Sequence, residues 1–356
     1  MKEKFILDKV SNMSLKEKIG QMIMIDFKGI KEMNVDLEKV LKEYSPGGFI
    51  LFWSNIENFN QTQKFLSEIK SSGDIPLAIS TDQEGGRVQR LAEEVGFDDI
   101  PPMGVVGKTM NEEEVFNLGK KIGAELKSIG VDMDMAPVLD VYSNPENTVI
   151  GDRAFGTDSE TVSKLSTALS NGLKEENIIA VGKHFPGHGD TFKDSHVDLP
   201  IVQKDLQELK KLELVSFINA IKNKIPGMMM GHLAVPKITG DNSPASLSGI
   251  MVNDILRKDL SYDGLVLTDS LRMKALTKYF TEEDIYLRCV NAGNDIMLMP
   301  TNVNVAFDTI YNAVNEGTIS EERIDASVIR ILSTKFDYGF FDKEYNDYIN
   351  SNKKRL

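Results

Sequence analysis

Eight short apolar runs, spaced along the chain and separated by helix-like patterns, restrict what this sequence can fold into. They read QMIMIDF (21–27), GGFILFW (47–53), IPLAISTD (75–82), VDMDMAPVLD (131–140), IIAVGKHF (178–185), GMMMGHLAV (227–235), DGLVLTD (263–269) and NDIMLMP (294–300). Runs this short and this continuously apolar suit strands buried on both faces, the pattern of a parallel sheet. Between them EEEVFNLGKKIGAELKSIG (112–130) and SETVSKLSTALSNGLKEEN (159–177) have the spacing of amphipathic helices, the second with a Ser-Glu cap-like start. Strands alternating with helices over most of the chain predict the α/β class and a single (β/α)8 TIM barrel. A doubly wound open sheet is the alternative, weakened because no G-x-G-x-x-G follows the first run. With no Pro/Ser-rich linker, repeat or low-complexity tract, residues 1–341 read as one catalytic domain and 342–356 as a polar C-terminal tail, helical or frayed.

The barrel reading gives the ends of these runs a meaning. Asp82 ends the third, Asp140 the fourth, Lys183 and His184 the fifth and Asp269 the seventh, while His232 sits late in the sixth. The C-terminal strand ends of a barrel surround one mouth, so polar groups far apart in sequence converge there.

Composition excludes several partners. A formal net charge of −13 over 356 residues disfavours a nucleic-acid partner, whose phosphates would be repelled. No stretch approaches the roughly 20 apolar residues of a membrane span, so no membrane association is expected. The N-terminus MKEKFILDKVSNMSLKEKIGQ has no apolar core of a signal peptide, which sets cytoplasmic localisation as the expectation. The single cysteine, Cys289, lies in an apolar helical run and reads as a buried structural thiol.

Three segments carry chemistry. KHFPGHGDTFKDSH (183–196) holds three of the four histidines, and its proline and glycines make it a loop. Either a metal cage or an acid/base apparatus would explain it. His184 and His188 are four apart but cannot share a helical face across Pro186 and Gly187. Asp190, Asp194 and His196 could complete a cage, although Lys183 is a poor neighbour for a cation. In DQEGGRVQR (82–90) the glycines allow a tight turn, and Asp82 with Arg87 suits either bidentate binding of vicinal hydroxyls or a structural ion pair. In GLVLTDSLRM (264–273) Asp269 reads either as a carboxylate nucleophile or base, or as the N-cap of a following helix.

Taken together, these segments resemble glycoside hydrolase family 3, and within it the NagZ-type β-N-acetylglucosaminidases. The likeness runs from MSLKEKIGQMIMIDFKG (13–29) through TDQEGGRVQR (81–90), IGDRAFGTD (150–158), KHFPGHGDTFKDSHVDLP (183–200) and LVLTDSLRMKAL (265–276) to GTISEERIDASVIRILSTKFDYGFF (317–341). It implies a retaining exo-β-N-acetylglucosaminidase that removes non-reducing terminal GlcNAc from muropeptide or chitin-derived oligosaccharides. Asp269 would be the nucleophile and His196 with Asp194 the acid/base dyad. Asp82, Arg153, Lys183 and His184 would bind the sugar, with Arg87 beside them. His188 would brace the loop. His232 reads as a satisfied core histidine in preference to a ligand contact. Ser54 stands where arginine is common among relatives. A family 3 β-glucosidase or hexosaminidase of broader specificity, with phosphorylase activity, is the alternative. No cofactor, metal or obligate protein partner is implied, only a small carbohydrate substrate.

Overall fold

The computed structural model describes residues 1–191 and 198–353. All eight apolar runs contain a strand: β1 (Ile23–Ile25), β2 (Gly48–Leu51), β3 (Ala78–Thr81), β4 (Met133–Asp134), β5 (Ile179–Phe185), β6 (Gly227–Met230), β7 (Leu265–Thr268) and β8 (Met297–Leu298). Every strand residue is buried, as continuous apolar runs demand. Neighbours pair in parallel around the ring, with Ile23 beside Met297, Ile25 beside Phe49, Thr81 beside Leu51 and Met230 beside Thr268. A bridge between Leu267 and Ile296 joins β7 to the start of β8 and closes the barrel. Closure leaves no strand edge to aggregate and discards the open doubly wound sheet.

The crossover helices form where the spacing predicts, at Glu112–Ile129 and Ser159–Glu175. Asn111 caps the first in a reciprocal box with Glu114, and Gly130 ends it at φ +94. The second is capped by Asp158, one residue before the expected Ser-Glu start, because its carboxylate accepts the Thr161 N–H at 2.8 Å. The polar tail folds as a helix, Asp342–Lys353, and docks on the N-terminal helix Lys2–Asn12. Tyr345 and Tyr348 pack edge-on against Phe5 at 5.2 and 5.3 Å between ring centres. Among the described residues no helix is long and apolar enough to cross a membrane.

One buried cation lies far from the strand ends that carry the site residues. Lys335, 3% exposed, donates to Gln21 Oε1 at 2.7 Å and to Pro76 O at 2.6 Å. Burial pushes its ammonium down to about 7, with Asp132 only partly opposing. Below that pH the lysine is charged in both folded and unfolded chains, and the fold bears the full desolvation cost. Between there and the ordinary value of 10.5 the unfolded chain binds the extra proton, so stability rises with pH. Lys335→Met should therefore raise Tm by about a few degrees near pH ~6. That gain should shrink toward pH ~9. Thermal melts across this range check it, and a gain that grows with pH would contradict the account.

Candidate active site

The mouth of the barrel is organised by one lysine. Lys183, on β5 and 2% exposed, donates to Asp82 Oδ1 at 2.9 Å and lies 2.5 Å from Glu84 Oε1. Asp82 follows β3 directly, and the chain then turns into a two-stranded hairpin, Gln83–Gly85 with Val88–Gln89. Gly85 and Gly86 turn it at φ +98 and +54, and a Cβ on Gly85 would sit 2.6 Å from Ile100. The hairpin brings Arg90 back to Asp82 Oδ2 at 3.0 Å. Arg153 holds Glu84 with both ends of its guanidinium, at 2.8 and 2.7 Å.

Burial alone would push both carboxyls up. Lys183 and Arg90 reverse this for Asp82, and Arg153 and Lys183 reverse it for Glu84, so both lie well below the usual carboxylate range. Burial disfavours charge on Lys183 and Arg153 as well, but the same carboxylates more than offset it and raise both. Asp134 behaves differently. It sits on β4 with Oδ1 accepting the Gln83 N–H at 2.9 Å, Oδ2 has no hydrogen-bond partner among the described residues, and burial raises it well above its ordinary value.

A second carboxylate orders the start of the histidine loop. Asp140 Oδ2 accepts the His184 Nδ1–H at 2.7 Å, and Oδ1 accepts the His188 N–H at 2.6 Å. His184 Nε2 lies 3.5 Å from the Arg153 guanidinium. His188 is buried, hydrogen-bonds Thr191 Oγ1 at 2.7 Å, and is pushed down to about 4 by burial and then by His184. It braces the loop, as the sequence suggested. Asp190 pairs with Lys204 at 2.8 Å. Among the described residues no three His, Cys, Asp or Glu side chains are grouped to hold a metal ion. Asp194 and His196 lie outside the described residues.

Asp269 follows β7 and is half-buried. Its backbone N–H donates to Met230 O at 3.0 Å, and its Oδ1 accepts the Ser270 N–H at 2.7 Å. The next helix, Lys274–Thr277, starts after Met273, so Asp269 caps nothing. Burial pushes its carboxyl up, but the imidazoles of His184 and His232, the Ser270 N–H and the Lys183 ammonium together bring it below its ordinary value. No described side chain or amide hydrogen-bonds its Oδ2. His232 is fully buried with both ring nitrogens engaged, as a satisfied core histidine should be. Cys289 is buried and pushed up to about 12, as befits an inert structural thiol.

These groups line one cleft of about 570 Å³, shared by Asp82, Glu84, Arg153, Lys183, His184 and Asp269. That is the size of a small-molecule site. Apolar wall comes from Phe52, Met229 and Leu298. Of the site residues proposed from sequence, Asp82, Arg87, Arg153, Lys183, His184 and Asp269 line this cleft, with one difference in role. Arg87 lines the cleft, yet its guanidinium donates to the carbonyls of Thr148, Val149 and Ile150 and pairs with Asp152. It ties down the loop that delivers Arg153, and Arg90 takes the place beside Asp82. Sequence reasoning passed over Glu84, Arg90 and Asp134. Glu84 stands two residues from Asp82 in an extended segment, a spacing that puts both on one face and could have flagged it.

The chain matches the profile of the glycosyl hydrolase family 3 N terminal domain over residues 14–334. It is 38% identical to a family 3 β-N-acetylglucosaminidase from Paenibacillus sp. str. FPU-7, with a TM-score of 0.88 over 92% of this chain and 63% of that one. LpqI of Mycobacterium tuberculosis superposes with a TM-score of 0.84 at 32% identity, over 93% of this chain and 96% of that one. A beta-hexosaminidase A of Pseudoalteromonas piscicida is 30% identical over 89% of this chain, which spans 60% of that protein's length. With the barrel, the convergent cleft and a profile that takes in nearly the whole chain, this protein belongs to glycoside hydrolase family 3.

Proposed function

We propose that the protein is a retaining exo-β-N-acetylglucosaminidase acting on non-reducing terminal GlcNAc of cell-wall or chitin-derived oligosaccharides. The observation that carries this is Asp269: held below its ordinary value, with one oxygen on the Ser270 N–H and the other bonded by no described residue, in a cleft shared with Asp82, Lys183, His184 and Arg153. Retention needs an ionised carboxylate below the anomeric carbon and a proton donor at the leaving oxygen. Asp82, Lys183, His184 and Arg153 offer the acceptors and donors that fix a sugar's hydroxyls. Preference for the 2-acetamido sugar rests on the relatives, which carry the names β-N-acetylglucosaminidase and β-hexosaminidase.

We assign the proton donor to His196, oriented by Asp194, on the resemblance of the loop sequence. The other histidines have other work: His184 is tied to Asp140, while His188 and His232 are buried and lowered. A histidine near its ordinary pKa of about 6.5 can give and take a proton at neutral pH without the upward shift a Glu acid requires.

Asp269→Ala should abolish turnover with the fold intact. A slow fluorinated GlcNAc donor should label Asp269 in the wild type, and mass spectrometry that placed the label on Asp82 or Asp140 would refute the assignment. His196→Ala should cost about 10²- to 10⁴-fold on natural disaccharides. Activated aryl glycosides, whose leaving group departs without a proton, should lose less in the glycosylation step. Equal losses on both would remove His196 from the role.

A neutral imidazole also spares an incoming anion the repulsion of a carboxylate, roughly 4 kcal/mol at about 4 Å and an effective dielectric near 20. Phosphate should then compete with water for the glycosyl-enzyme and release GlcNAc-1-phosphate. Assay of both products at increasing inorganic phosphate checks this, and free GlcNAc alone at an unchanged rate would count against it.

A further inference from the structure

The backbone around Asp269 is tied to its neighbours at three consecutive residues, and one tie is a side chain. The Asp269 N–H donates to Met230 O on β6, and the Leu271 N–H donates to Leu298 O on β8, both at 3.0 Å. Between them, the Ser270 carbonyl meets His232 Nε2 at 2.9 Å. The regular β6–β7 pairing ends at Met230 and Thr268, so the imidazole extends the tether between these segments beyond the ladder.

The chemistry of these contacts fixes the tautomer. A carbonyl can only accept, so Nε2 carries hydrogen. Burial lowers His232, which favours the neutral ring, and in that form Nδ1 accepts from the Ser246 hydroxyl at 2.7 Å. Ser246 is itself fastened, since its carbonyl accepts the Asn294 Nδ2–H at 2.8 Å. The histidine end is fully enclosed: His232 and Ser246 are 0% exposed. At the other end the Ser270 N–H donates to Asp269 Oδ1 at 2.7 Å.

We propose that His232 is a positioning residue for the covalent step, holding Ser270 so that its N–H stays on Asp269 Oδ1 and Oδ2 remains the attacking oxygen. This rests on the reading of Asp269 as nucleophile. In the step itself, the Oδ2 lone pair forms the bond to the anomeric carbon. The bond to the leaving oxygen breaks, and that oxygen takes its proton from the general acid. Release of the Ser270 carbonyl lets the turn after Asp269 shift and the two carboxylate oxygens exchange. A misplacement of about 1 Å at a reacting atom costs about 10²-fold in rate.

The test is the labelling of Asp269 by a slow fluorinated GlcNAc donor, followed by mass spectrometry in wild type, His232→Leu, His232→Gln and Ser246→Ala. Leucine removes the donor, and the maximal labelling rate should fall about 10- to 100-fold. The donor concentration for half-maximal rate should change little, because Asp82, Lys183 and Arg153 are untouched. Glutamine keeps an N–H for the Ser270 carbonyl and should restore most of the rate. Ser246→Ala frees the tautomer and should fall between. A His232→Leu protein that labels Asp269 at the wild-type rate overturns the inference. Equal slowing by leucine and glutamine, with parallel loss of donor affinity, also overturns it in favour of a purely structural histidine. Should the leucine variant fail to fold, Ser246→Ala reads the same quantity, and an unchanged rate there is decisive against the inference. A wild-type label on another carboxylate overturns the nucleophile reading and this inference with it.

Discussion

The site depends on an ammonium that has been taken out of water. Lys183 could not be buried and charged without compensation, and it has two carboxylates, Asp82 and Glu84, within hydrogen-bond reach. Those carboxylates in turn need Arg90 and Arg153. A chain of alternating charge therefore runs from β5 to β3 and its hairpin and on to the loop before the helix Ser159–Glu175. Removing Asp82 or Glu84 strips Arg90 or Arg153 of its carboxylate and leaves Lys183 one partner short, which is more costly than losing a surface pair. The cluster thereby fixes the mutual geometry of the groups that face the cleft, and the barrel supplies the frame.

Much of this was legible in the sequence, and the reason is periodicity. Eight apolar runs gave eight strands because a strand buried on both faces has no polar positions to interrupt it. Residues closing those runs had to meet, because a barrel gathers strand ends at one mouth. Boundaries were less legible. The run 131–140 yields a regular strand only at Met133–Asp134, since Pro137 has no N–H to extend the ladder. Pairing with β5 nonetheless continues past it, with Leu139 N–H on Lys183 O.

Partner identity was the least legible part. Sequence offered Arg87 to Asp82, five residues away. The hairpin instead sends Arg87 outward to the loop at 148–152 and folds Arg90 back onto Asp82. Nothing in composition or spacing separates the two arginines, because the choice depends on which way the turn at Gly85 and Gly86 faces. Glu84 was overlooked for a related reason: its partners Lys183 and Arg153 are brought to it only by the closed barrel. The roles of Asp194 and His196 still rest on the resemblance of the loop sequence.

Hydrogen-bond satisfaction separates groups that stabilise this barrel from groups equipped to react. Asp295, before β8, is as buried as any carboxylate here, and both its oxygens are fully engaged. Oδ1 accepts from Ser327 and Arg330, and Oδ2 accepts from Arg257 and the Val266 N–H. A carboxylate with every acceptor position filled has no lone pair to offer a substrate, so its work is to hold strands β7 and β8 to the outer helix Glu321–Asp337. Asp269, at the opposite end of β7, has one oxygen committed and one open among the described residues. In a closed interior such an atom would be a defect worth about 1–3 kcal/mol. Facing a cleft, it is where the proposed reaction would receive an anomeric carbon. Strand β7 thus receives a saturated carboxylate from the segment before β8 near its start, and Asp269 follows its end. That contrast, more than the identity of either residue as aspartate, is what supports the role proposed for Asp269.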